Sequence, residues 1–259
     1  MPEALSGKTI LITREAQRST GLMQKLQQLG AECISFPVIR TTAPADWTSC
    51  DRALQNLNDY DWIIFSSVNG VRFFLGRAQQ KKIQPFKGRV AVIGNRTNEE
   101  LQSFGWQADL QPREFSAQGL IKSFDKTTLA GKRILLPTSD IAPDVLAEGL
   151  RALAAVVEKI TVYRTRCAEN EGAYDLQRKI KENQIDALLF FSPSALRFFL
   201  GLMGNSAVET INKSQIVLTA IGKSTAAAVR EAGLQVHILP GQSSQSSLIE
   251  ALAAYFNQS

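Results

Sequence analysis

The chain has 259 residues, of which 44% are hydrophobic and 20% are charged, and its formal net charge is +5. This composition is ordinary for a globular protein, and the length exceeds that of a usual single core. No apolar run approaches the roughly 18 to 20 residues of a membrane span, and the N-terminus MPEALSGK has no signal-like apolar stretch. We therefore expect a cytoplasmic protein with no membrane partner.

Cysteine and histidine chemistry is not indicated by the sequence. The three cysteines, Cys33, Cys50 and Cys167, lack the spacing of a metal site or a disulfide framework. The single histidine, His237, lies in the apolar stretch VHIL without a serine or cysteine motif, which indicates a partly exposed strand residue. We expect any chemistry of this chain to avoid histidine, thiolate and metal.

The positive charge favours an anionic partner. Lysine and arginine are scattered along the chain, and no aromatic-basic platform of the nucleic-acid-binding kind is present. A small polyanion therefore fits better than nucleic acid. A mildly basic surface with no ligand fits the charge count equally well.

The first elements alternate between strand and helix. The run from Thr9 to Ile12 predicts a buried strand, and leucines at i, i+4 and i+7 from Leu22 predict a helix that ends at Gly30. The run WIIF from Trp62 predicts a second buried strand. Ser67 follows it and is placed to cap the next helix.

A third strand is predicted from Val90 to Ile93, where the apolar run ends at Gly94. The pattern T-x-x-E formed by Thr97 and Glu100 is typical of a capping box, so we expect a helix to begin near Thr97. These alternations predict a parallel sheet that helices cover on both faces.

The second half of the chain restates the first. The segment DWIIFSSVNGVRFFLG from Asp61 recurs as DALLFFSPSALRFFLG from Asp186, with 8 of 16 positions identical. KRILLPTS from Lys132 repeats the first strand, and AIGKST from Ala220 repeats VIGNRT. Three matches in the same order predict one α/β fold used twice, with a crevice between the halves that favours a ligand.

The repeat predicts equivalent helix starts. Ser192 occupies the capping position of Ser67, Pro193 suits the first helical position, and a helix is expected to begin near Thr225. The sequence GKST resembles the end of a phosphate-binding loop, but Val217 stands where that motif needs glycine. Neither a phosphate loop nor a dinucleotide site is therefore indicated.

Two aligned extended stretches, ISFPVIRT from Ile34 and EKITVYRT from Glu158, lie between the repeated units. If the chain crosses between lobes at both, one lobe comprises residues 1–37 with 168–259 and the other residues 41–164. The linkers then lie near residues 36–41 and 160–167. The predicted architecture is two similar parallel-sheet lobes joined by a two-stranded linker.

Hydroxyl and amide side chains accumulate after the predicted strands. In a parallel sheet these positions share one edge with the helix N-termini, which suit carboxylates or phosphates. Each hydroxyl alone is equally explained as a helix cap. The positions are Thr13, Ser66, Ser67, Asn69, Thr97, Ser192, Ser194, Ser224 and Thr225.

The ordered set of Thr13-Arg14, Phe36-Pro37, FSSxNGV, VIGxxT, VYRT, FFSPSA and AIGxxTAxA resembles the uroporphyrinogen-III synthase family over essentially the whole chain. This resemblance implies that hydroxymethylbilane, a linear tetrapyrrole with eight carboxylates, binds in the cleft between two lobes. It closes to uroporphyrinogen III with inversion of its last ring, without metal or cofactor. The implied protein is a monomer whose partner is this small molecule.

The resemblance also implies roles for individual residues. Tyr163, in the VYRT match, is implied as the proton donor to the departing hydroxyl, although a hinge aromatic explains it equally well. The implied substrate-binding residues are Thr13, Arg14, Ser67, Arg96, Thr97, Ser192, Ser194, Lys223 and Thr225.

Two departures from the family pattern stand at the implied site. Glu15 replaces a proline after Thr13-Arg14, and Lys223-Ser224 replaces Pro-Thr before Thr225. The first brings an acid close to a predicted anion site. A non-catalytic two-lobed protein that binds a small polyanion is the alternative, and a nucleotide-dependent transferase is less favoured because no phosphate-binding motif is present.

Overall fold

The computed structural model describes residues 3–14, 16–169 and 172–257, without the side chains of residues 16–18 and 126. The chain divides into two compact units. Unit 1 comprises Met1–Arg40 with Arg166–Ser259, and unit 2 comprises Thr41–Thr165.

Strands and helices alternate through both units. The described strands are β1 (Thr9–Ile12), β2 (Glu32–Ser35), β3 (Ile39–Thr42), β4 (Trp62–Phe65), β5 (Arg89–Val92), β6 (Arg133–Ser139), β7 (Val156–Cys167), β8 (Ala187–Phe190) and β9 (Val217–Ala220). The described helices are α1 (Ala16–Gln28), α2 (Thr48–Gln55), α3 (Val68–Gln80), α4 (Asn95–Ser103), α5 (Ala117–Lys122), α6 (Lys126–Leu129), α7 (Val145–Ala152), α8 (Ala173–Lys181), α9 (Pro193–Met203), α10 (Ala207–Lys213), α11 (Lys223–Glu231) and α12 (Gln245–Asn257). Across the residues described above, no helix has the length and apolar character to cross a bilayer.

Unit 1 is built on a four-stranded sheet with the order β2-β1-β8-β9. β1 pairs in parallel with β2 and β8, and β8 pairs in parallel with β9. Because alternate side chains of a strand point to opposite faces, Ile10 and Ile12 pack with α1 and α12, whereas Leu11 packs with α8, α9, α10 and α11. Helices therefore cover both faces of this sheet.

Unit 2 is built on a five-stranded sheet with the order β3-β7-β6-β4-β5. β4 pairs in parallel with β5 and β6, and β6 pairs in parallel with β7. Ile63 and Phe65 pack with α2, α3 and α4, and Ile64 packs on the other face with α5, α6 and α7. The two sheets confirm the predicted α/β class with parallel strands covered by helices.

The boundaries between the units fall inside β3 and β7, which are neighbours in the five-stranded sheet. The extended stretch predicted from Ile34 is divided into β2 and β3 around Pro37, which has no N–H to give to a sheet. The pairing of β6 with β7 shifts register after Thr138, so that Ser139 lies opposite Tyr163. This irregularity lets two successive residues of β7, Val162 and Tyr163, both be buried.

One aspartate, directly before β4 in unit 2 and directly before β8 in unit 1, anchors the neighbouring strand in each unit. In unit 2, Asp61 accepts hydrogen bonds from the backbone N–H of Arg133 and from Lys132 Nζ, both at 2.8 Å. In unit 1, Asp186 accepts from the backbone N–H of Thr9 at 2.8 Å and from Lys8 Nζ at 3.2 Å. The sequence repeat is therefore also a repeat of contacts.

Candidate active site

Ser67 forms the turn between β4 and α3 in unit 2. Its backbone is extended, with φ −155° and ψ 151°, and its hydroxyl accepts a hydrogen bond from the backbone N–H of Gly70 at 3.0 Å. This confirms the predicted cap, which satisfies one of the free N–H groups of the helix N-terminus. Gly70 has no room for a side chain, because a Cβ there would lie 2.9 Å from the carbonyl oxygen of Pro137.

Tyr163 of β7 lies beside this capped helix. Its phenol oxygen is 3.1 Å from Ser67 Oγ, and either hydroxyl can be the donor. The ring stacks on Phe73 of α3, with centroids 5.8 Å apart and planes 21° from parallel. Tyr163 is only 9% exposed. The structure thus brings together two of the predicted site residues and fixes both of them.

The helix after β5 begins earlier than predicted. Gly94, with φ +86°, turns the chain, and α4 begins at the next residue. Thr97 is therefore inside the helix and only 4% exposed. The predicted capping box is wrong, because Glu100 instead accepts two hydrogen bonds of 3.0 Å from Arg72 of α3. Arg96 is exposed at the start of α4.

Thr13 and Arg14 follow β1 in unit 1. The hydroxyl of Thr13 donates to the carbonyl oxygen of Leu189 at 2.7 Å, and the residue is only 2% exposed. The hydroxyl proton of Thr13 is therefore engaged in a hydrogen bond to the neighbouring strand. The guanidinium of Arg14 lies 5.3 Å from the ring centroid of Phe191, a cation–π distance, and brings positive charge to this edge.

Ser192 caps α9 of unit 1 in the same way as Ser67 caps α3. Its backbone is extended, its hydroxyl accepts from the backbone N–H of Ala195 at 3.1 Å, and Pro193 is the first helical residue. Both sequence predictions for this turn are confirmed. The second contact of Ser192 differs from that of Ser67, because it is the hydroxyl of Ser194 at 3.0 Å.

The helix after β9 begins at Lys223, two residues before the predicted start near Thr225. Gly222 is its N-cap and offers no side chain, and a Cβ there would collide with the hydroxyl of Ser243. Lys223 is exposed, whereas Thr225 is 1% exposed and belongs to the first turn of the helix. Charge and a buried hydroxyl therefore stand together at this helix N-terminus.

The histidine and two of the cysteines serve the packing of the fold rather than a reaction. His237 Nδ1 accepts a hydrogen bond from the backbone N–H of Leu218 at 3.0 Å, and burial lowers the pKa of its imidazole. The predicted strand around it is reduced to a single bridge. Burial raises the pKa of Cys50 to about 12 and that of Cys33 to about 11, so both remain thiols at neutral pH.

Sequence reasoning missed Phe73 and Gly70. Phe73 has a counterpart, Phe198, but the residue aligned with Tyr163 in the first half is Ile39, so the repeat gives no signal for a stacked pair. Gly70 did carry a signal. Glycine is unfavourable inside a helix, and its presence in the first turn of α3 indicates a close approach of another backbone.

A cavity of about 420 Å³ lies elsewhere in unit 2. It is lined by the C-terminal ends of α3 and α4 and by the stacked rings of Phe86 and Trp106, whose centroids are 6.1 Å apart. None of the predicted site residues lines it. Since helix C-termini carry partial negative charge, this cavity is at the unfavourable end of both helices for an anion.

The carboxyl edges of the two sheets therefore combine three kinds of group. They present the N–H groups of helix N-termini, hydroxyls that are fixed by capping, and exposed basic side chains such as Arg96 and Lys223. Such edges stabilise carboxylates. The phenol of Tyr163 adds a weak acid that is held in one orientation.

Comparison with known proteins places the whole chain in a family. The family model for uroporphyrinogen-III synthase HemD matches residues 20–250. The chain is 28% identical over 261 residues to the uroporphyrinogen-III synthase of Synechococcus elongatus, covering 99% of this chain and 98% of that protein. It is 25% identical over 250 residues to the uroporphyrinogen-III synthase of Chlorobaculum parvum, covering 95% and 98%.

Solved structures show the same fold. A mutant uroporphyrinogen III synthase from the extremely thermophilic bacterium Thermus thermophilus superposes with a TM-score of 0.71 at 17% identity, covering 97% of this chain and all of that chain. The uroporphyrinogen-III synthetase of Helicobacter pylori gives a TM-score of 0.63 at 16% identity, with 96% and 99% covered. The resemblance inferred from the order of the sequence motifs is thereby confirmed. Because the family model spans most of its length, this chain belongs to the uroporphyrinogen-III synthase HemD family.

Proposed function

We propose that the chain is a uroporphyrinogen-III synthase that closes hydroxymethylbilane to uroporphyrinogen III, with inversion of the last pyrrole ring and release of water. The observation that carries the proposal is the phenol of Tyr163, 3.1 Å from the serine that caps α3. A weak acid fixed at a helix N-terminus is suited to protonate a leaving hydroxyl. The family membership disfavours the alternative of a non-catalytic binding protein.

The substrate carries eight carboxylates, which the basic chain and its helix N-termini are suited to receive. In unit 2 the support comes from the start of α4, and in unit 1 from the starts of α9 and α11. We assign carboxylate binding to Thr13, Arg14, Arg96, Thr97, Ser192, Ser194, Lys223 and Thr225.

Tyr163 acts in the first chemical step. Its phenol gives a proton to the terminal hydroxyl of the substrate. The carbon–oxygen bond then breaks, water departs, and the substrate becomes an azafulvene cation. The last ring then attacks to form a spiro intermediate, which fragments and recloses. The pyrrole carbon that forms the final bond loses a proton, which restores the phenol. The sequence of steps is balanced without an oxidant or a reductant, so we propose a cofactor-independent reaction.

We also propose that the enzyme is a cytoplasmic monomer. Three free cysteines are typical of a reducing compartment. The large apolar side chains that are well exposed are spread over several segments of the chain, and only Ile141 and Val145 are close in sequence, which favours a monomer. They are Phe115, Ile141, Val145, Val156, Tyr174 and Leu239. We propose one lobe of residues 1–37 with 168–259 and a second lobe of residues 41–164. The segments near residues 36–41 and 160–167 are the proposed hinges, because the unit boundaries fall inside β3 and β7.

The assay that tests the function supplies enzymatically generated hydroxymethylbilane and identifies the porphyrin isomer after oxidation. We expect the type III isomer with the purified protein and the type I isomer with heat-denatured protein, because spontaneous closure does not invert the last ring. A product that is only type I, at stoichiometric amounts of folded protein, would mean that the chain binds without catalysing.

A further inference from the structure

Ser67 has a different task from the other hydroxyls of the site. We infer that Ser67 is a positioning residue that directs the proton of Tyr163 toward the substrate and stabilises the phenolate left behind. This replaces the carboxylate-binding role that the family resemblance implies for Ser67. It rests on the proposed function, in which Tyr163 is the proton donor.

The hydrogen-bonding capacity of the Ser67 hydroxyl decides which way the proton of Tyr163 can point. A serine hydroxyl has one proton and two lone pairs, and one lone pair of Ser67 Oγ is occupied by the N–H of Gly70 at 3.0 Å. The contact of 3.1 Å with Tyr163 uses either the remaining lone pair or the proton. If Tyr163 donates to Ser67, its proton points into the protein. Only when Ser67 donates can Tyr163 hand its proton to a substrate.

Proton transfer makes that second arrangement stronger. A phenolate oxygen accepts hydrogen bonds only, and a hydrogen bond to an anion is roughly twice as strong as one between neutral groups. The N–H of Gly70, at the positive end of α3, also polarises the serine hydroxyl in the donating sense. The contact therefore stabilises the transition state more than the ground state, and such a contact raises kcat with little effect on KM.

The surroundings hold the two oxygens in register. Tyr163 is 9% exposed and stacks on Phe73, and the absent side chain of Gly70 lets α3 start against the backbone of Pro137. Screening by water is weak at such a position, which strengthens the contact. Ser67 and Tyr163 therefore act as one unit with the helix N-terminus.

Unit 1 provides a matched comparison. Ser192 caps α9 through the N–H of Ala195 at 3.1 Å, as Ser67 caps α3. The residue of unit 1 that aligns with Tyr163 is Ile39, so Ser192 has no phenol to orient and contacts Ser194 instead. The capping role is shared, and the positioning role belongs to Ser67 alone.

The test uses Ser67→Gly, Ser67→Thr and Ser192→Gly in the wild type, and Ser67→Gly combined with Tyr163→Phe. Glycine preserves most of the capping stability, and threonine restores the hydroxyl. We expect Ser67→Gly to lower kcat about tenfold or more, but no more than Tyr163→Phe, with KM within about twofold. Ser67→Thr should recover most of the lost kcat, and Ser192→Gly should act on KM.

The double variant separates positioning from binding. We expect Ser67→Gly to cause no further loss of kcat in the Tyr163→Phe background, because the two residues then act as one unit. A rise in KM at unchanged kcat, or an equal further loss in that background, overturns the inference and returns Ser67 to carboxylate binding. If Tyr163→Phe itself keeps the wild-type kcat, the donor assignment fails together with the inference. If Tyr163→Phe lowers kcat but Ser67→Gly does not, the donor assignment stands and only the inference about Ser67 fails.

Discussion

At the scale of single residues, the candidate site distributes its interactions over many modest groups. The hydroxyl of Ser192 is already engaged with its own helix, and the proton of Thr13 is engaged with the sheet. Each can offer a carboxylate at most part of its hydrogen-bonding capacity. We therefore expect substrate binding to tolerate the loss of any one of them, whereas the acid step depends on Tyr163.

Tyr163→Phe and Thr225→Ala should slow the reaction to different extents. A positioned acid contributes about 10²- to 10⁴-fold, and a neutral hydrogen bond contributes only about 0.5 to 1.5 kcal/mol. Tyr163→Phe should lower kcat about 100-fold, and Thr225→Ala should lower the steady-state rate about tenfold or less. Steady-state rates measure both. A wild-type kcat for Tyr163→Phe together with an inactive Thr225→Ala would assign the acid step to the threonine.

Sequence patterns predict the two serine caps because capping is local chemistry. Ser67 and Ser192 follow buried strands, and each accepts an N–H three residues later, which the sequence spacing alone indicates. The T-x-x-E pattern of Thr97 and Glu100 failed because the same spacing also occurs inside helices. The deciding facts were the turn at Gly94 and the partner of Glu100 on another helix, Arg72. Contacts between helices are not encoded in local spacing.

At the scale of elements, α3 holds the candidate acid in place through its first turn. The helix begins at a cap, passes the backbone of β6 at Gly70, and presents Phe73 to Tyr163. The sequence predicted the cap and the preceding strand of this unit. It did not predict the stack, since the register shift in β7 that buries Tyr163 arises only from the pairing of β6 with β7.

Two glycines of α3 test this packing. A Cβ at Gly70 would lie 2.9 Å from a backbone carbonyl oxygen, which cannot yield, whereas a Cβ at Gly76 would meet nothing within 4 Å. Gly70→Ala should lower the free energy of unfolding by roughly 1–3 kcal/mol. Gly76→Ala should raise it by about 0.5–1 kcal/mol, because alanine is the better helix former. Urea denaturation measures both, and equal shifts would contradict the packing at Gly70.

An ion-pair network joins α2 to α3 and should depend on pH. Asp51 accepts two hydrogen bonds of 2.7 Å from Arg77 and contacts Lys81 Nζ at 2.9 Å. The hydrogen bonds from Arg77 are the main reason that the pKa of Asp51 is lowered to about 2. Since the folded state favours the carboxylate, the stabilisation is complete above the unfolded pKa of about 3.9 and is lost as the pH falls toward about 2.

Asp51→Asn should therefore lower the stability at neutral pH and flatten its decline below about pH 4. Urea denaturation at several pH values measures this. Asp175→Asn is the control, because Asp175 pairs with Arg178 on the surface of α8 with both side chains about half exposed, and such pairs contribute little. Parallel stability curves for the wild type and Asp51→Asn would show that the network does not stabilise the fold.

At the scale of the whole molecule, the internal repeat predicts two α/β sheets and most of their strands. It cannot predict the order of the strands within each sheet, because strand order depends on pairing between distant segments. It also missed the division of the stretch around Pro37 into β2 and β3. Proline and pairing partners, rather than hydrophobic pattern, decide where such a stretch is a strand.

The unit division predicts that residues 39–167 fold alone, since this segment contains all five strands of the larger sheet. The fragment should unfold cooperatively in urea and give dispersed amide resonances. Residues 1–40 should remain unfolded alone, because β1 then lacks its neighbour β8. A fragment of residues 39–167 without a cooperative transition would show that the larger sheet depends on the rest of the chain.

The pairing of β1 with β8 also sets the order of events on the ribosome. Thr9 meets Asp186 across 177 residues of chain, and synthesis at about 5–20 residues per second separates their appearance by roughly 9 to 35 seconds. During this interval unit 2 is completed, while Ile10, Leu11 and Ile12 of β1 have no neighbour on one side. We therefore expect unit 1 to be the last part to form during synthesis, and the nascent N-terminal segment to be the one most exposed to aggregation.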